Sequence, residues 1–447
     1  MAAQRIAGGV GGRVSRLLHQ SPLVRRVTST GFAAIIFAIL EAVCASAQQP
    51  PADQPDRGPT DGWRFRWAEH PRLESQNVRL DFRAQVYGMN VSSDGPIRGG
   101  RADALDIPRR RIGIDGAIGG RVSFQAEAEL ETDDPVRDLY LNYRAARTLQ
   151  ARGGRFKLPF GLEENTPNAK LEFVKRSMVS NRLAPGRDDG AMVYGRMGKV
   201  AYETGVFVHD GANAEPGSAV RVVGGRTLVG RVRVEPFRGV KSTAADFEIG
   251  AAVTQSPLPE GYPAVRGRTV AGVSFFDAEV WVAGERRRTG LELRWRPGPF
   301  AVTAEAIDLR DSRRAQALDR SDLPPLVSRG WYVSGSWVVA GARRASNVDT
   351  PRRPLFGGGW GALQLAARRE ALTFGSFDVA DPPLVIHRAV RVPGSQDAAT
   401  TIGVTWYATR WIRFQANAVH ERLRGAMSDP LPPARIWSRL IRFQVVI

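Results

Sequence analysis

From residue 77 onward, apolar and polar residues alternate along the chain. In the segment NVRLDFRAQVYG (77–88), every second residue is apolar, and nearly all the residues between them are Arg, Asp, Gln or Tyr. The same period of two recurs at 122–131, 139–144, 291–296, 412–418 and 441–447. Successive side chains of a β-strand point to opposite sides, so this period indicates strands with one apolar and one polar face. The pattern therefore predicts an all-β chain.

Eleven further segments also have the composition of strands and bring the predicted total to 17. They are 107–119, 149–158, 190–198, 199–209, 225–235, 244–255, 270–283, 299–309, 328–341, 358–374 and 397–408. A bacterial membrane barrel has an even number of antiparallel strands, so one of these predictions has to be wrong, and the short segment 190–198 is the first suspect. Sixteen strands would leave about 25 residues for each strand and its connection, which suits strands of about 10 residues.

A soluble sandwich also alternates, and two further features favour a barrel in a membrane. The polar faces are dense with Arg, Glu, Gln and Asn, as expected where a wide barrel encloses water. Aromatic residues stand near strand ends, as in the girdles at membrane interfaces, at Trp331-Tyr332, Trp406-Tyr407, Trp411 and Trp437. Ordinary sheet aromatics are the alternative interpretation. We expect 77–447 to form a transmembrane antiparallel β-barrel of about 16 strands.

The first 47 residues have the organisation of a cleaved secretory signal. The apolar run FAAIIFAIL (32–40) is too short to span a membrane as a helix, which needs about 20 apolar residues, and it follows Arg25 and Arg26. Small residues at Ala45-Ser46-Ala47 provide a cleavage site. We expect the exported chain to begin at Gln48 with a flexible periplasmic lead-in, 48–76, that shows no period. An N-terminal anchor or a buried helix is the alternative.

The composition of the exported chain is basic and rich in arginine. Removing residues 1–47 leaves 58 basic and 44 acidic residues, a formal charge of +14, and only five of the basic residues are lysines. A GC-rich genome would explain arginine in place of lysine but not the net positive sign, which favours anionic partners. The only cysteine, Cys44, lies in the signal, so the exported chain has neither disulfides nor thiolate metal sites.

Sequence signals for catalysis or for nucleic-acid binding are scarce. The histidines at 70, 209, 387 and 420 are isolated from one another and lie near predicted strand ends or loops, whereas a hydrolase needs a nucleophile, a base and an orienting group together. The GGR and GGG clusters have no βαβ unit around them, so they read as turns rather than phosphate loops. No helix or aromatic platform carries the basic charge. We expect no enzyme activity, cofactor, metal or nucleic-acid partner.

A segment that begins at Gly154, GRFKLPFGLEENTPNAKLEFVKRSM, resembles the phosphate-selective porin O and P family. The matching elements are Gly154-Arg155-Phe156, Phe160-Gly161-Leu162-Glu163 and Lys175-Arg176-Ser177. The segments at 330–341, 358–369 and 403–407 are similar to family segments in the same order. The resemblance covers about 77–447.

This resemblance implies a porin of the bacterial outer membrane: a homotrimer of 16-stranded, water-filled pores through which small anions diffuse passively, with phosphate and polyphosphate as candidates. It also implies that a loop at 160–189 folds inward and narrows the lumen. The constriction residues carried over to this chain are Phe160, Gly161, Leu162, Glu163, Lys170, Lys175 and Arg176.

Alternation places a further set of cations on the polar faces of the predicted strands, where they are candidates for an anion pathway: Arg79, Arg83, Arg109, Arg111, Arg144, Arg155, Lys157, Arg231, Arg233 and Arg294, with Arg296, Arg413 and Arg442. A guanidinium group offers five rigid donors that match phosphate or carboxylate, and a row of such sites permits hopping. Alternatively, these cations pair with lumenal acids such as Asp81, Glu129 and Glu292 and stiffen the wall.

Two functions remain open from the sequence. One is a passive channel for small anions, and the other is a structural or adhesive surface barrel whose lumen is blocked by the inward loop. Outer-membrane lipid and lipopolysaccharide are expected partners of either. Arg286-Arg287-Arg288 and Arg343-Arg344 are candidates for holding lipopolysaccharide from loops at the rim.

Overall fold

The computed structural model describes residues 62–67, 70–95, 105–132, 134–214, 225–378 and 387–447. The predicted signal peptide and the first part of the lead-in lie outside the described residues. No helix within the described ranges is long and apolar enough to cross a membrane.

Sixteen antiparallel strands form one closed barrel, which confirms the predicted fold. Each strand pairs with the next along the chain, and the last pairs with the first, Ser438 opposite Ser93. Closure removes the unpaired edges that an open sheet would expose. The strands are β1 (Val78–Ser93), β2 (Leu105–Ile118), β3 (Val122–Glu129), β4 (Val136–Arg144), β5 (Gln150–Lys157), β6 (Arg187–Met197), β7 (Val200–Phe207), β8 (Thr227–Val234), β9 (Glu248–Pro263), β10 (Trp281–Trp295), β11 (Phe300–Arg313), β12 (Leu323–Ala340), β13 (Ala362–Phe374), β14 (Ser395–Tyr407), β15 (Ile412–Arg424) and β16 (Arg435–Val446).

The surplus strand of the sequence prediction lies at 270–283 rather than at 190–198. The suspected segment 190–198 belongs to β6, whereas the two segments predicted at 270–283 and 291–296 contribute to a single strand, β10. Most of 270–283 belongs to the connection 264–280, which packs inside the barrel. Its apolar residues face other protein residues instead of lipid, and the alternation of the sequence does not distinguish these two environments.

The two ends of the barrel differ in the length of their connections. Tight turns share one end with the start of β1 and the end of β16, at 119–121, 145–149, 198–199, 296–299 and 408–411. Membrane barrels have short periplasmic turns and longer extracellular loops, so this end is the periplasmic one. The longer connections 235–247 and 341–361 are exceptions at that end. At the extracellular end lie the connections 158–186, 208–226, 264–280 and 375–394.

Part of the segment expected to be a flexible lead-in forms a hairpin against the barrel. Strand Arg64–Trp67 pairs with strand Pro71–Glu74, and the second of these pairs with β1 through contacts such as Leu73 opposite Leu80. The described part of the lead-in therefore departs from the expectation of a structureless segment.

An apolar core fills one side of the lumen. The inner faces of β9 to β16 contribute buried residues such as Leu309, Leu372 and Val419, and the connections 158–186 and 264–280 pack against them. Phe276 has no exposed surface and stacks on Phe374 with the ring centroids 4.5 Å apart. The inner faces of β1 to β4 carry mainly charged and amide side chains instead. The lumen is therefore packed on one side and polar on the other.

Candidate pore and its constriction loop

The connection 158–186, here called the constriction loop, crosses the lumen between β5 and β6. It contains two short helices, α1 (Leu162–Asn165) and α2 (Met178–Leu183). Gly161 precedes α1 with a φ of 78°, a conformation that glycine adopts without a steric penalty. A β-carbon at this glycine would lie 3.0 Å from the carboxylate of Glu305. The residues predicted for the constriction, Phe160 to Arg176, all lie in this loop.

Acceptors on the inner wall hold the constriction loop by its backbone amides. Glu305 on β11 accepts hydrogen bonds from the amides of Leu162 and Glu163, the latter at 2.9 Å. Further along, Glu370 on β13 accepts from the amide of Met178 at 2.6 Å. Asn417 on β15 accepts from the amide of Val174 at 2.7 Å. The loop is thus attached to three separated strands of the opposite wall.

Three of the predicted loop residues stabilise the fold of the loop. The Arg176 guanidinium donates to the carbonyl oxygens of Glu163 and Thr166, at 3.0 and 2.6 Å. A carboxylate oxygen of Glu163 accepts from the amide of Ser177 at 2.8 Å. The Lys175 ammonium donates to the carbonyl of Ala271 at 3.2 Å and so connects the constriction loop to the connection 264–280.

Lys170 has a different environment from the other loop cations. It is exposed at the tip of the loop, and no ion pair involves it within the described residues. Burial lowers the pKa of Lys175, and burial beside Arg268 lowers that of Arg182 to about 10. Arg182 therefore remains cationic at neutral pH.

Most of the cations predicted for an anion pathway are paired with carboxylates. Arg111 is buried and binds Glu127 and Glu129, each at 2.7 Å. Arg231 is also buried and binds Glu292 at 2.7 Å. The other pairs are Arg79–Asp81, Arg83–Asp115, Arg109–Glu129, Arg155–Asp134, Lys157–Glu164, Arg233–Glu248 and Arg294–Glu248. Arg144 instead donates to the carbonyl of Gly120 at the periplasmic rim. Pairing, the alternative left open by the sequence, is thus extensive.

Arg155 does not lie where alternation places it. It stands opposite Leu139, whose side chain is 56% exposed on the outer face, and directly paired residues of two strands share a face. The lumenal side of this strand carries Phe156, which is 1% exposed and packs on Tyr140. The prediction that Arg155 faces the lumen is therefore wrong.

The arginines predicted to hold lipopolysaccharide from rim loops also lie elsewhere. Arg286 and Arg288 belong to β10, have no exposed surface and bind the carboxylate of Asp210. Arg343 and Arg344 lie in the connection 341–361 at the periplasmic end, away from the outer leaflet. For these four arginines the prediction of a role at the outer rim is wrong.

Two cavities lie on either side of the tip of the constriction loop. The larger, of about 510 Å³, is on the side of the connection 341–361, and the smaller is about 220 Å³. Asn165 and Pro167 at the loop tip line both of them. The larger cavity has six cationic and four acidic side chains: Lys170, Arg231, Arg233, Arg294, Arg296 and Arg413 against Glu163, Glu172, Glu203 and Asp349. The smaller cavity has four cationic side chains and one acidic side chain: Arg83, Arg111, Lys157 and Arg187 against Glu127.

Sequence reasoning missed a buried ion network at the extracellular side. Asp210, which follows β7, accepts hydrogen bonds from Arg286 at 2.8 Å and from Arg288. Arg286 also binds Asp311 at 2.6 Å, and Arg288 donates to the carbonyl of Leu183 at the end of α2. Burial by itself would raise the pKa of Asp210, yet the two arginines lower it to about 2. Alternation does place Arg286, Arg288 and Glu292 on one face, but no signal in the sequence indicates that a loop aspartate completes the network.

Comparisons with known proteins agree with this architecture. The family model of the phosphate-selective porin O and P family matches residues 78–446. An uncharacterised protein of Caulobacter vibrioides is 25% identical over 395 residues, which cover 83% of this chain and 74% of the relative.

Solved structures of outer-membrane proteins show the same fold at low identity. OmpT of Vibrio cholerae is similar with a TM-score of 0.52 and 12% identity over 84% of this chain and 100% of its own. The outer membrane channel DcaP of Acinetobacter baumannii has a TM-score of 0.52 and 11% identity over 84% and 99%. The anion-selective porin from Comamonas acidovorans has a TM-score of 0.50 and 10% identity over 83% and 100%. With the family match across the whole barrel, these findings make the chain an outer-membrane channel that belongs to the phosphate-selective porin O and P family.

Proposed function

We propose that this channel passes small anions in preference to cations, by passive diffusion past the tip of the constriction loop. The observation that carries the proposal is the charge of the larger cavity beside that tip. Cationic side chains outnumber acidic ones there by six to four, and three of the six form no ion pair within the described residues, whereas the four cations that line the smaller cavity all pair with carboxylates. An excess of fixed positive charge in a water-filled passage raises the local concentration of anions and lowers that of cations.

The cations without a carboxylate partner are the ones that bind a passing anion in this proposal. Lys170 and Arg296 line the larger cavity and form no ion pair within the described residues. Arg413 also lines this cavity and donates to the side chain of Gln444 at 2.7 Å. The paired arginines, such as Arg231, set the background potential and stiffen the wall, because their donors are already occupied.

The substrate class proposed here is small oxyanions, with phosphate as one member. Guanidinium and ammonium groups both bind phosphate oxygens, and a guanidinium binds them with two parallel donors. The name of the family and the anion selectivity of the Comamonas acidovorans porin are consistent with this class. A preference for phosphate over chloride is a separate question that blocking experiments address.

We also propose that the chain is exported by a cleaved signal and assembles as a homotrimer. The barrel wall formed by β3 to β8 supports the proposed trimer, because its strands are short. We call it the low wall. Strands β3, β5, β7 and β8 have eight residues each, whereas β12 has 18. Eight residues span about 26 Å, or roughly 19 Å of height at a 45° tilt, which is less than the apolar band of about 25 Å. Neighbouring copies of the chain would cover such a low wall.

Reversal potentials in asymmetric salt test the anion preference directly. The double variant Lys170→Glu/Arg296→Glu converts two of the three cations of the larger cavity that lack a carboxylate partner, and we expect its selectivity to shift strongly towards cations in planar bilayers. Arg343→Glu/Arg344→Glu is the matched control, because it makes the same charge change on exposed residues outside the lining of both cavities. An unchanged reversal potential in the first variant would contradict the proposal.

The same recordings separate the channel from a structural or adhesive barrel with a blocked lumen. The two inward connections that pack one side of the lumen are the observation that favours such a barrel. A folded protein that inserts without producing conductance steps would support it. Conductance that saturates or is blocked by added phosphate would narrow the anion.

A further inference from the structure

The barrel wall with the longer strands, β9 to β16, carries arginines on its outer face near the extracellular end. Alternation along β10, β11, β12, β15 and β16 turns them away from the lumen, on the same face as exposed apolar residues such as Leu291 and Ile441. All are exposed. We call this group the arginine belt; it consists of Arg287, Arg310, Arg329, Arg422, Arg435 and Arg439.

The arginine belt places like charges directly opposite each other across the sheet. Arg287 stands opposite Arg310, and Arg422 stands opposite Arg435. Like charges directly opposite each other destabilise a sheet. Within the described residues the belt finds one carboxylate, Asp308, which binds Arg310 at 2.9 Å and Arg329 at 2.7 Å. The charge of the belt is therefore largely uncompensated by the protein.

Arginines on the low wall differ in this respect. Arg155 points outward from β5 and binds Asp134, and Arg110 on β2 binds Glu131. Each of these arginines has its own carboxylate. The two facing arginine pairs of the belt thus lie on the side of the barrel with the longer strands, where lipid would reach the protein.

The depth of the arginine belt matches the headgroup region. Trp331 follows Arg329 on the same outer face of β12, and Trp437 lies between Arg435 and Arg439 on β16. Both tryptophans are exposed, by 45% and 60%. Tryptophan at a membrane interface sits at the level of the headgroups. Arginine on a lipid-facing surface is costly at the membrane centre and nearly neutral close to the interface.

We propose that the arginine belt binds the phosphate groups of a phosphorylated glycolipid in the outer leaflet. A phosphate between two facing arginines accepts hydrogen bonds from both guanidinium groups and replaces their repulsion with attraction. The acyl chains of the same lipid lie against the apolar residues below the belt. This inference is independent of the anion pathway, because the belt is on the other face of the wall.

Lipid binding to the purified full chain tests the proposal. The probe is bisphosphorylated lipid A, and native mass spectrometry in detergent measures the number and affinity of bound molecules. In Arg422→Gln/Arg435→Gln/Arg439→Gln we expect the affinity to fall by about a hundredfold, the size expected for three interfacial charges. Lipid A without phosphates should bind the variant and the unmodified chain equally. The ion selectivity of the variant should stay the same.

The matched control is Arg343→Gln/Arg344→Gln/Arg352→Gln, which removes three exposed arginines from the periplasmic connection. Equal loss in both triple variants, or no loss in the first, would overturn the proposal. Displacement of lipid A by millimolar inorganic phosphate would assign the belt to free anions and overturn it as well. Should the first variant fail to fold by circular dichroism, the Arg→Lys triple keeps the charge and is expected to weaken binding only partly, because it loses the two-donor geometry.

Discussion

The two sides of the barrel share the same alternation of residues, but their faces contact different surroundings. Along β9 to β16 the inner face binds the constriction loop and the connection 264–280 through an apolar core. The inner faces of β1 to β4 carry charged and amide side chains that border the smaller cavity. The outer faces differ too, since none of the ten tryptophans lies between residues 78 and 234. The difference shows that a strand pattern identifies two faces without identifying what each face meets.

The largest expected effect comes from loosening the packed side. Phe275 and Phe276 have no exposed surface, and both rings contact Phe374. Replacing both by alanine should lower the free energy of unfolding by about 3–5 kcal/mol for each ring and raise single-channel conductance, because the connection 264–280 loses its anchors. Chemical denaturation and bilayer recording measure the two effects.

Leu318→Ala provides the control for this double variant. Leu318 lies in the extracellular connection after β11 and is 89% exposed, so its replacement should change stability by no more than about 0.5 kcal/mol. If the double phenylalanine variant behaved like this control, the apolar packing of the lumen would not hold the connection in place.

The second prediction addresses the ion network that joins the two sides. Asp210→Asn leaves Arg286 and Arg288 buried beside a neutral group, and breaking a buried pair in this way costs about 3–5 kcal/mol. The midpoint of denaturant unfolding should fall, and the segment after β7 should become sensitive to protease. A variant as stable as the unmodified chain would show that Asp311 alone compensates both arginines.

The pH dependence of that network has a defined sign. The pKa of Asp210 is lowered from 3.8 to about 2 in the folded chain. A lowered pKa means that the stabilisation is present in full above pH 3.8 and is lost as the pH falls through about 2. The stability difference between the chain and Asp210→Asn should therefore shrink between these values, as measured by denaturation across that range.

The smallest effect concerns the low wall and the proposed trimer. Gly153 on β5 and Gly335 on β12 both point outward, and a β-carbon at either glycine meets no atom closer than 3.9 Å. Gly153→Trp should shift the purified protein from trimer towards monomer in light scattering, because it would disturb the neighbouring copy. Gly335→Trp should leave the oligomer unchanged, because it faces lipid. Equal behaviour of the two variants would contradict the placement of the interface.

Alternation predicted the barrel correctly, because it depends only on the two faces of a strand. It placed Arg111, Arg231 and Arg294 on the inner wall, where the structure has them. It placed Arg155 on the wrong face, because Phe156 rather than a polar residue points into the lumen from β5. In β5, the polar residues do not alternate regularly with the apolar ones.

The partners of the lumenal cations could not be predicted from the sequence. Glu248 meets Arg233 and Arg294 because the register of β8, β9 and β10 brings them together, and register depends on the whole closed sheet. The sequence also does not reveal that the connection 264–280 runs inside the barrel, for a related reason. An apolar run such as that around Phe275 is equally suited to lipid and to the inside of a packed lumen.

The constriction loop is attached to the wall through its backbone, so its attachment does not depend on which side chains it carries. Glu305, Glu370 and Asn417 accept hydrogen bonds from backbone N–H groups, which every amino acid except proline supplies. Substitutions at the exposed tip, such as at Lys170, can therefore alter which solutes pass without detaching the loop. Single substitutions in the gene can thus change the selectivity of the channel while the barrel and its loop keep their structure.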